Sequence, residues 1–159
     1  VIVFAYTGHL VFAILLANNA NQALDRIIHF FEADLHSQLF MDLSLNLQAI
    51  IAQQLIPTVD GNSRRAAIEI LINSPLISDL IRKGEINEIK ELMKRSRELG
   101  MQTFDQALFD LYQAKQISYK EALKHADSPN DLRLQIKLSE EGGLSRLSES
   151  TSRITFDTE

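Results

Sequence analysis

Cysteine and tryptophan are both absent from the sequence. Without cysteine there is no disulfide framework, thiol nucleophile or thiolate metal site, an absence that fits a reducing compartment. Three prolines and six glycines in 159 residues exclude a low-complexity scaffold. Basic residues are also in the minority, since 16 Lys and Arg face 21 Asp and Glu for a formal net charge of −5. A non-specific nucleic-acid binder needs a basic surface to displace phosphate counterions, so no nucleic-acid partner is expected. The apolar stretch at residues 10–17 has neither an initiating Met nor a basic segment ahead of it, which argues against a secretory signal. With Gly8 and His9 interrupting residues 1–17, that stretch is also too short and too polar for a membrane span. The missing Met predicts that further residues precede Val1. What is present is ordinary for a globular chain, with 45% apolar and 23% charged residues, and the length suits one helix-rich intracellular domain.

The run at residues 10–16 reads as a strand buried on both faces. From Asn19 the period changes, with Leu24, Ile28, Phe31, Leu35, Leu39, Leu43, Leu47 and Ile50 recurring at three and four. That spacing predicts two helices broken near residues 31–34. Apolar runs at 51–58 and 65–72 flank Asp60-Gly61-Asn62-Ser63 and predict a hairpin, with Ile68, Ile70 and Ile72 on one face.

Beyond Asn73 the punctuation is explicit. Ser74 and Pro75 open a helix that Arg82, Lys83 and Gly84 close. Ile86, Ile89, Leu92 and Met93 should face inward from the next segment, which stops at Gly100. Thr103 with Gln106, and Ser118 with Glu121, have capping-box spacing. Ser128-Pro129 starts a last turn or short helix towards Leu138. These local signals predict a self-contained helical unit at 74–138, and the Ser-, Glu- and Gly-rich residues 139–159 read as a disordered tail.

Catalytic motifs are missing. His9, His29, His36 and His125 form no metal-ligand spacing, and His29 and His36 lie two helical turns apart. There are no paired carboxylates, no nucleophile elbow and no phosphate loop of the form G-x-x-x-x-G-K-S/T. No catalytic residue, metal site or cofactor is expected of this chain alone.

Longer segments carry a family likeness. Thr7-Gly8-His9-Leu10-Val11-Phe12-Ala13, Asn18-Asn19-Ala20 and Leu24-Asp25-Arg26-Ile27-Ile28 resemble the histidine-box region of secretion and type IV pilus ATPases. Residues 44–51, Gln53-Gln54-Leu55-Ile56-Pro57, residues 99–108 and Asn130-Asp131-Leu132-Arg133 agree with the twitching-motility retraction ATPases, the PilT/PilU family, and favour its PilU branch. The resemblance spans residues 5–138. It implies an α/β fold, the C-terminal part of a RecA-like P-loop ATPase domain (residues 1–73) followed by a helical C-terminal region (74–138). It also implies a hexameric ring using ATP and Mg, placed in the cytoplasm against the inner-membrane platform of a pilus. A PAS-like domain, the phosphate loop and the Walker B acid belong upstream in that family. The family helix that ends near Ala5 should survive here only where neighbours hold it.

By the same resemblance, Gly8 and His9 are the remaining nucleotide-proximal residues. Leu76-Ile77-Ser78-Asp79-Leu80-Ile81-Arg82-Lys83 resembles the family's Ala-Ile-Arg-Asn-Leu-Ile-Arg-Glu retraction motif, matching it at Ile77, Leu80, Ile81 and Arg82. Three positions depart from the pattern. Tyr6 replaces a Glu, Leu16 replaces the His that approaches the terminal phosphate, and Glu32 replaces a Pro, which would let the preceding helix run on. Leu16 can neither donate a hydrogen bond nor carry charge. Three readings follow: a truncated retraction-ATPase homologue inactive alone, a non-catalytic module that docks into a full-length ring, or an ATPase completed by another chain.

Overall fold

The computed structural model describes residues 2–152, with side chains described for residues 4–141. The chain opens with α1 (Ile2–Tyr6), then runs extended to α2 (Ala20–His29) and α3 (His36–Asn46). A hairpin of β1 (Ala49–Pro57) and β2 (Arg64–Ile72) follows. Five helices complete the order: α4 (Pro75–Lys83), α5 (Ile89–Arg95), α6 (Phe104–Gln113), α7 (Tyr119–His125) and α8 (Pro129–Ser152). Short 3-10 turns precede α3 and flank α5.

Local signals place most of these boundaries. Asn19 begins α2 by accepting from the Gln22 N–H, and Thr103 and Gln106 form a complete capping box on α6. Ser74 caps α4 with Pro75 in its first turn, and Gly84 ends it at φ 74°. Each side-chain cap satisfies a backbone donor the helix cannot, a gain of about 1 kcal/mol. At the hairpin, Gly61 takes φ 70° while the Thr58 and Gly61 amides donate to Ser63 and Thr58 carbonyls. The strands pair antiparallel from Ala49↔Ile72 to Pro57↔Arg64. Short α1 is held by its neighbour, with the Tyr6 hydroxyl donating to Asp42 on α3.

Two apolar clusters fill the interior. The first joins Leu24, Leu39, Leu43 and Leu71 to Ile77, Ile81, Ile89, Met93 and Met101. The second joins Ile56 and Ala67 to Phe104, Leu108, Ile117, Ala122, Leu132 and Ile136. Each cluster draws residues from both sides of position 73, so the helical block shares its core with the hairpin and α2. The more deeply buried face of β2 is Ala67, Glu69 and Leu71, while Ile68, Ile70 and Ile72 are half-buried on the other. Ala67 enters the second cluster and Leu71 the first. Glu69 lies between them along the strand.

Three expectations are corrected. Residues 10–16 form no strand, and Leu10, Phe12, Ile14 and Leu16 are 74–98% exposed. A strand buried on both faces needs strands at its edges and layers above and below. Among the described residues the sheet is two-stranded, and β1 and β2 pair with each other. Glu32 does not prolong α2, because it is extended at φ −68°, ψ 153° and the helix has already ended at His29. The tail expected from Ser139 continues as helix in α8 through Ser152, and 153–159 lie outside the described residues. Ser139 accepts from Gln113 Nε2 at 2.9 Å and Glu140 accepts from the Tyr112 hydroxyl at 2.8 Å, anchoring that extension to α6. A helix already nucleated adds further turns at little cost.

Gly84 carries a specific test. Its left-handed φ excludes most side chains, and a Cβ there would stand 2.9 Å from Cε2 of Phe40 on α3. Gly84→Ala is expected to destabilise the chain by about 1–2 kcal/mol from the backbone conformation alone. Urea denaturation reads this directly, and an unchanged midpoint would refute the backbone strain assigned to this position.

Candidate functional site

The residues singled out by family resemblance fall in two places. At the end of α1 the chain turns, with the Gly8 N–H donating to the Ala5 carbonyl at 3.0 Å and Gly8 at φ 81°. The Thr7 hydroxyl donates to the Phe4 carbonyl at 2.8 Å and lies 2.7 Å from His9 Nδ1. Both Gly8 and His9 are exposed, and a Cβ on Gly8 would meet nothing within 4 Å.

The second place is α4. Ile77 and Ile81 are fully buried against Leu39 and Leu43 of α3, Leu80 is half-buried, and Arg82 faces solvent. Asp79 accepts from Arg82 at 2.6 Å and pairs with Lys83 at 2.7 Å. These two cations hold its carboxyl below the usual aspartate range, Lys83 contributing more. Ser78 donates to the Ser44 carbonyl at 2.7 Å, and Asn73 Nδ2 donates to the carbonyls of Ser44 and Leu47 at 2.9 and 2.8 Å. These bonds satisfy the open C-terminal end of α3 and fix the approach of α4 to it. Among the described residues no hydrogen bond or ion pair links Gly8 or His9 to α4, so the structure does not join the two groups into one site. No group of three metal-ligating side chains occurs among the described residues either.

A third set was missed in the sequence. Glu69 is 1% exposed, and its two oxygens accept from the backbone N–H of Ala20 at 2.7 Å and of Phe104 at 3.1 Å. Lys90 Nζ stands 3.9 Å from Glu69 and bonds Asp127. Asp127 also accepts from Asn19 Nδ2 at 3.3 Å. On α6, Asp105 accepts from the N–H groups of Asp127 and Ser128 at 2.8 and 3.1 Å. Burial pushes the carboxyls of Glu69 and Asp105 up, opposed by these N–H donors and by Lys90. The available signal was a lone acid inside Ala66-Ala67-Ile68-Glu69-Ile70-Leu71-Ile72, on the strand's inward parity.

The match that decides the family is to the type IV pilus ATPase PilU of Pseudomonas aeruginosa. It is 63% identical over 156 residues, covering 98% of this chain and 41% of that protein. The chain belongs to the PilT/PilU family of pilus ATPases. A twitching motility protein of Neisseria gonorrhoeae is 38% identical over 128 residues, covering 80% of this chain and 34% of its own length. The crystal structure of the pilus retraction motor PilT with bound ADP matches at a TM-score of 0.70 and 34% identity, over 79% of this chain and 34% of that one. No family model matches the chain. The chain thus spans well under half the length of these PilT/PilU relatives. Its architecture is the C-terminal part of their RecA-like ATPase domain followed by the helical C-terminal region. Among the described residues, no helix is long and apolar enough to cross a membrane.

Against this PilT/PilU frame, α4 divides into a packed half and a solvated half. Ile81→Ala is expected to cost about 2–5 kcal/mol, the usual range for truncating a buried aliphatic side chain. Arg82→Ala removes a surface charge and should stay within about 0.5 kcal/mol of the parent. Paired urea melts check both, and a large loss on Arg82→Ala would make that residue part of the fold's support.

Proposed function

We propose that these residues form the motor-output portion of a type IV pilus retraction ATPase homologue and carry out no ATP chemistry on their own. The observation carrying this reading is the division of α4 described above. Ile77 and Ile81 clamp the helix to α3 while Arg82 is left facing outward, in a chain 63% identical to PilU. A helix fixed on one side and charged on the other can transmit a movement of the body beneath it to a polar partner.

On this reading ATP and Mg act in a longer PilT/PilU subunit, assembled as a hexamer in the cytoplasm against the pilus inner-membrane platform. The 159 residues contain no phosphate loop to cradle a triphosphate. Gly8 and His9 would approach nucleotide only at the edge of a cleft built by other residues. Leu16, at the position of the family's phosphate-approaching His, offers no polar group.

A second reading, a non-catalytic module docking into a full-length ring, draws on the exposed apolar side chains of residues 10–16. Surface of this kind favours association. A clean monomer in size-exclusion chromatography counts against that alternative.

Two measurements test the main proposal. Isothermal titration of the 159-residue chain with millimolar Mg-ATP is expected to give no saturable heat, and a one-site isotherm would overturn the inactive reading. In a full-length homologue grafted with residues 76–83, Arg82→Ala should abolish twitching while leaving the ATPase rate and melting temperature near the parent's. Retained twitching, or a melting point lowered by many degrees, would remove Arg82 from the output face.

A further inference from the structure

Each of α2 and α6 starts with unsatisfied backbone N–H groups. In both helices the donor at the third position is met by the cap residue's own side chain, Asn19 for Gln22 and Thr103 for Gln106. In both, the donor at the first position is met by the same group from elsewhere. Glu69 accepts from Ala20 with one oxygen and from Phe104 with the other. These helices are 75 residues or more apart in sequence, and α2 lies on the first apolar cluster whereas α6 lies on the second. A neutral side chain in this place could not serve both starts equally, since an amide offers one acceptor oxygen and would turn its NH₂ towards the other N–H.

We propose that Glu69 is a conformational clasp that couples the start of α2 to the start of α6, so that the two helix starts are held or loosened together. Both bonds are made to one charge, so both gain from its ionisation and both weaken when it takes up a proton. The positive ends of both helix dipoles add to the hold on the anion. The groups facing it are few. Lys90 on α5 is the neighbouring cation, Asp127 before α8 shares that cation, and Asp105 on α6 lies one residue beyond Phe104. Across the hairpin its partner on β1 is the uncharged Ala52, and α2 presents uncharged Asn19 and Ala20. Burial raises its pKa, with the two N–H groups and Lys90 lowering it. The folded chain as a whole is therefore favoured with Glu69 protonated, below its unfolded-state pKa, and loses that stability as pH rises through the folded value even as the two N–H bonds tighten on the anion. Burial disfavours the ionised form, so proton uptake can loosen the clasp within the folded state. This inference stands independently of the retraction reading.

Backbone amide shifts of the ¹⁵N-labelled chain, followed by NMR against pH, test it. The Ala20 and Phe104 amide protons should both move upfield on acidification with one shared midpoint, above the ordinary glutamate value of about 4.3. The amides of Asp127 and Ser128 report Asp105 separately. Lys90→Met should raise the Ala20 and Phe104 midpoints by the same amount, and the exchange protection of the first amides of α2 and α6 should fall together at that midpoint, a loosening that a carboxyl merely bonded to both would not produce. If Glu69→Gln folds, neither amide should titrate with that midpoint. Separate midpoints for Ala20 and Phe104, a Phe104 midpoint that tracks Asp127 and Ser128, or a Lys90→Met shift at one amide alone would each overturn the coupling.

Discussion

A carboxylate taken out of water must be met by donors, and much of this fold is arranged so that Glu69 is met. Its side chain points inward from β2 between Ala67 and Leu71, which belong to different apolar clusters. The seam between those clusters is therefore polar at one point, and two helix starts and a lysine converge there. An unmet buried charge costs several kcal/mol, so α2 and α6 are not free to shift along the sheet independently of it. Apolar burial supplies the driving force for collapse but is indifferent to small slides. The carboxylate adds the direction that burial lacks.

What could be read from the sequence divides by range. The caps at Ser74, Thr103 and Ser118, the stops at Gly84 and Gly100 and the hairpin turn are local agreements between side chain and backbone, so they were legible. The break between α2 and α3 was legible too, although the substitution at Glu32 suggested otherwise. Residues 10–16 were misread because apolar composition reports the wish to be buried, while a strand also needs neighbours to pair with. The helix beyond Ser139 was missed for a related reason. Composition there favours solvent, whereas the anchoring bonds to Tyr112 and Gln113 come from a helix about 26 residues earlier.

The candidate sites show the same division. Family wording drew attention to Gly8, His9 and α4, but only packing separates Ile77 and Ile81, which hold the helix down, from Arg82, which does not. Glu69 had no motif to announce it. Its partners are backbone N–H groups, which every residue but proline possesses, so no pattern of side chains could have named them. Charge at an inward position of a strand was the sole trace.

The Asn73 side chain draws together the end of α3 and the turn into α4 through two carbonyls. With Ser78 bonded to the same helix end and Ile77 and Ile81 packed below, the direction of α4 is set entirely from its underside. Its outer edge takes no part in that aim. The outward positions Leu76, Asp79, Arg82 and Lys83 can therefore answer to a partner's chemistry without altering the bearing of the helix.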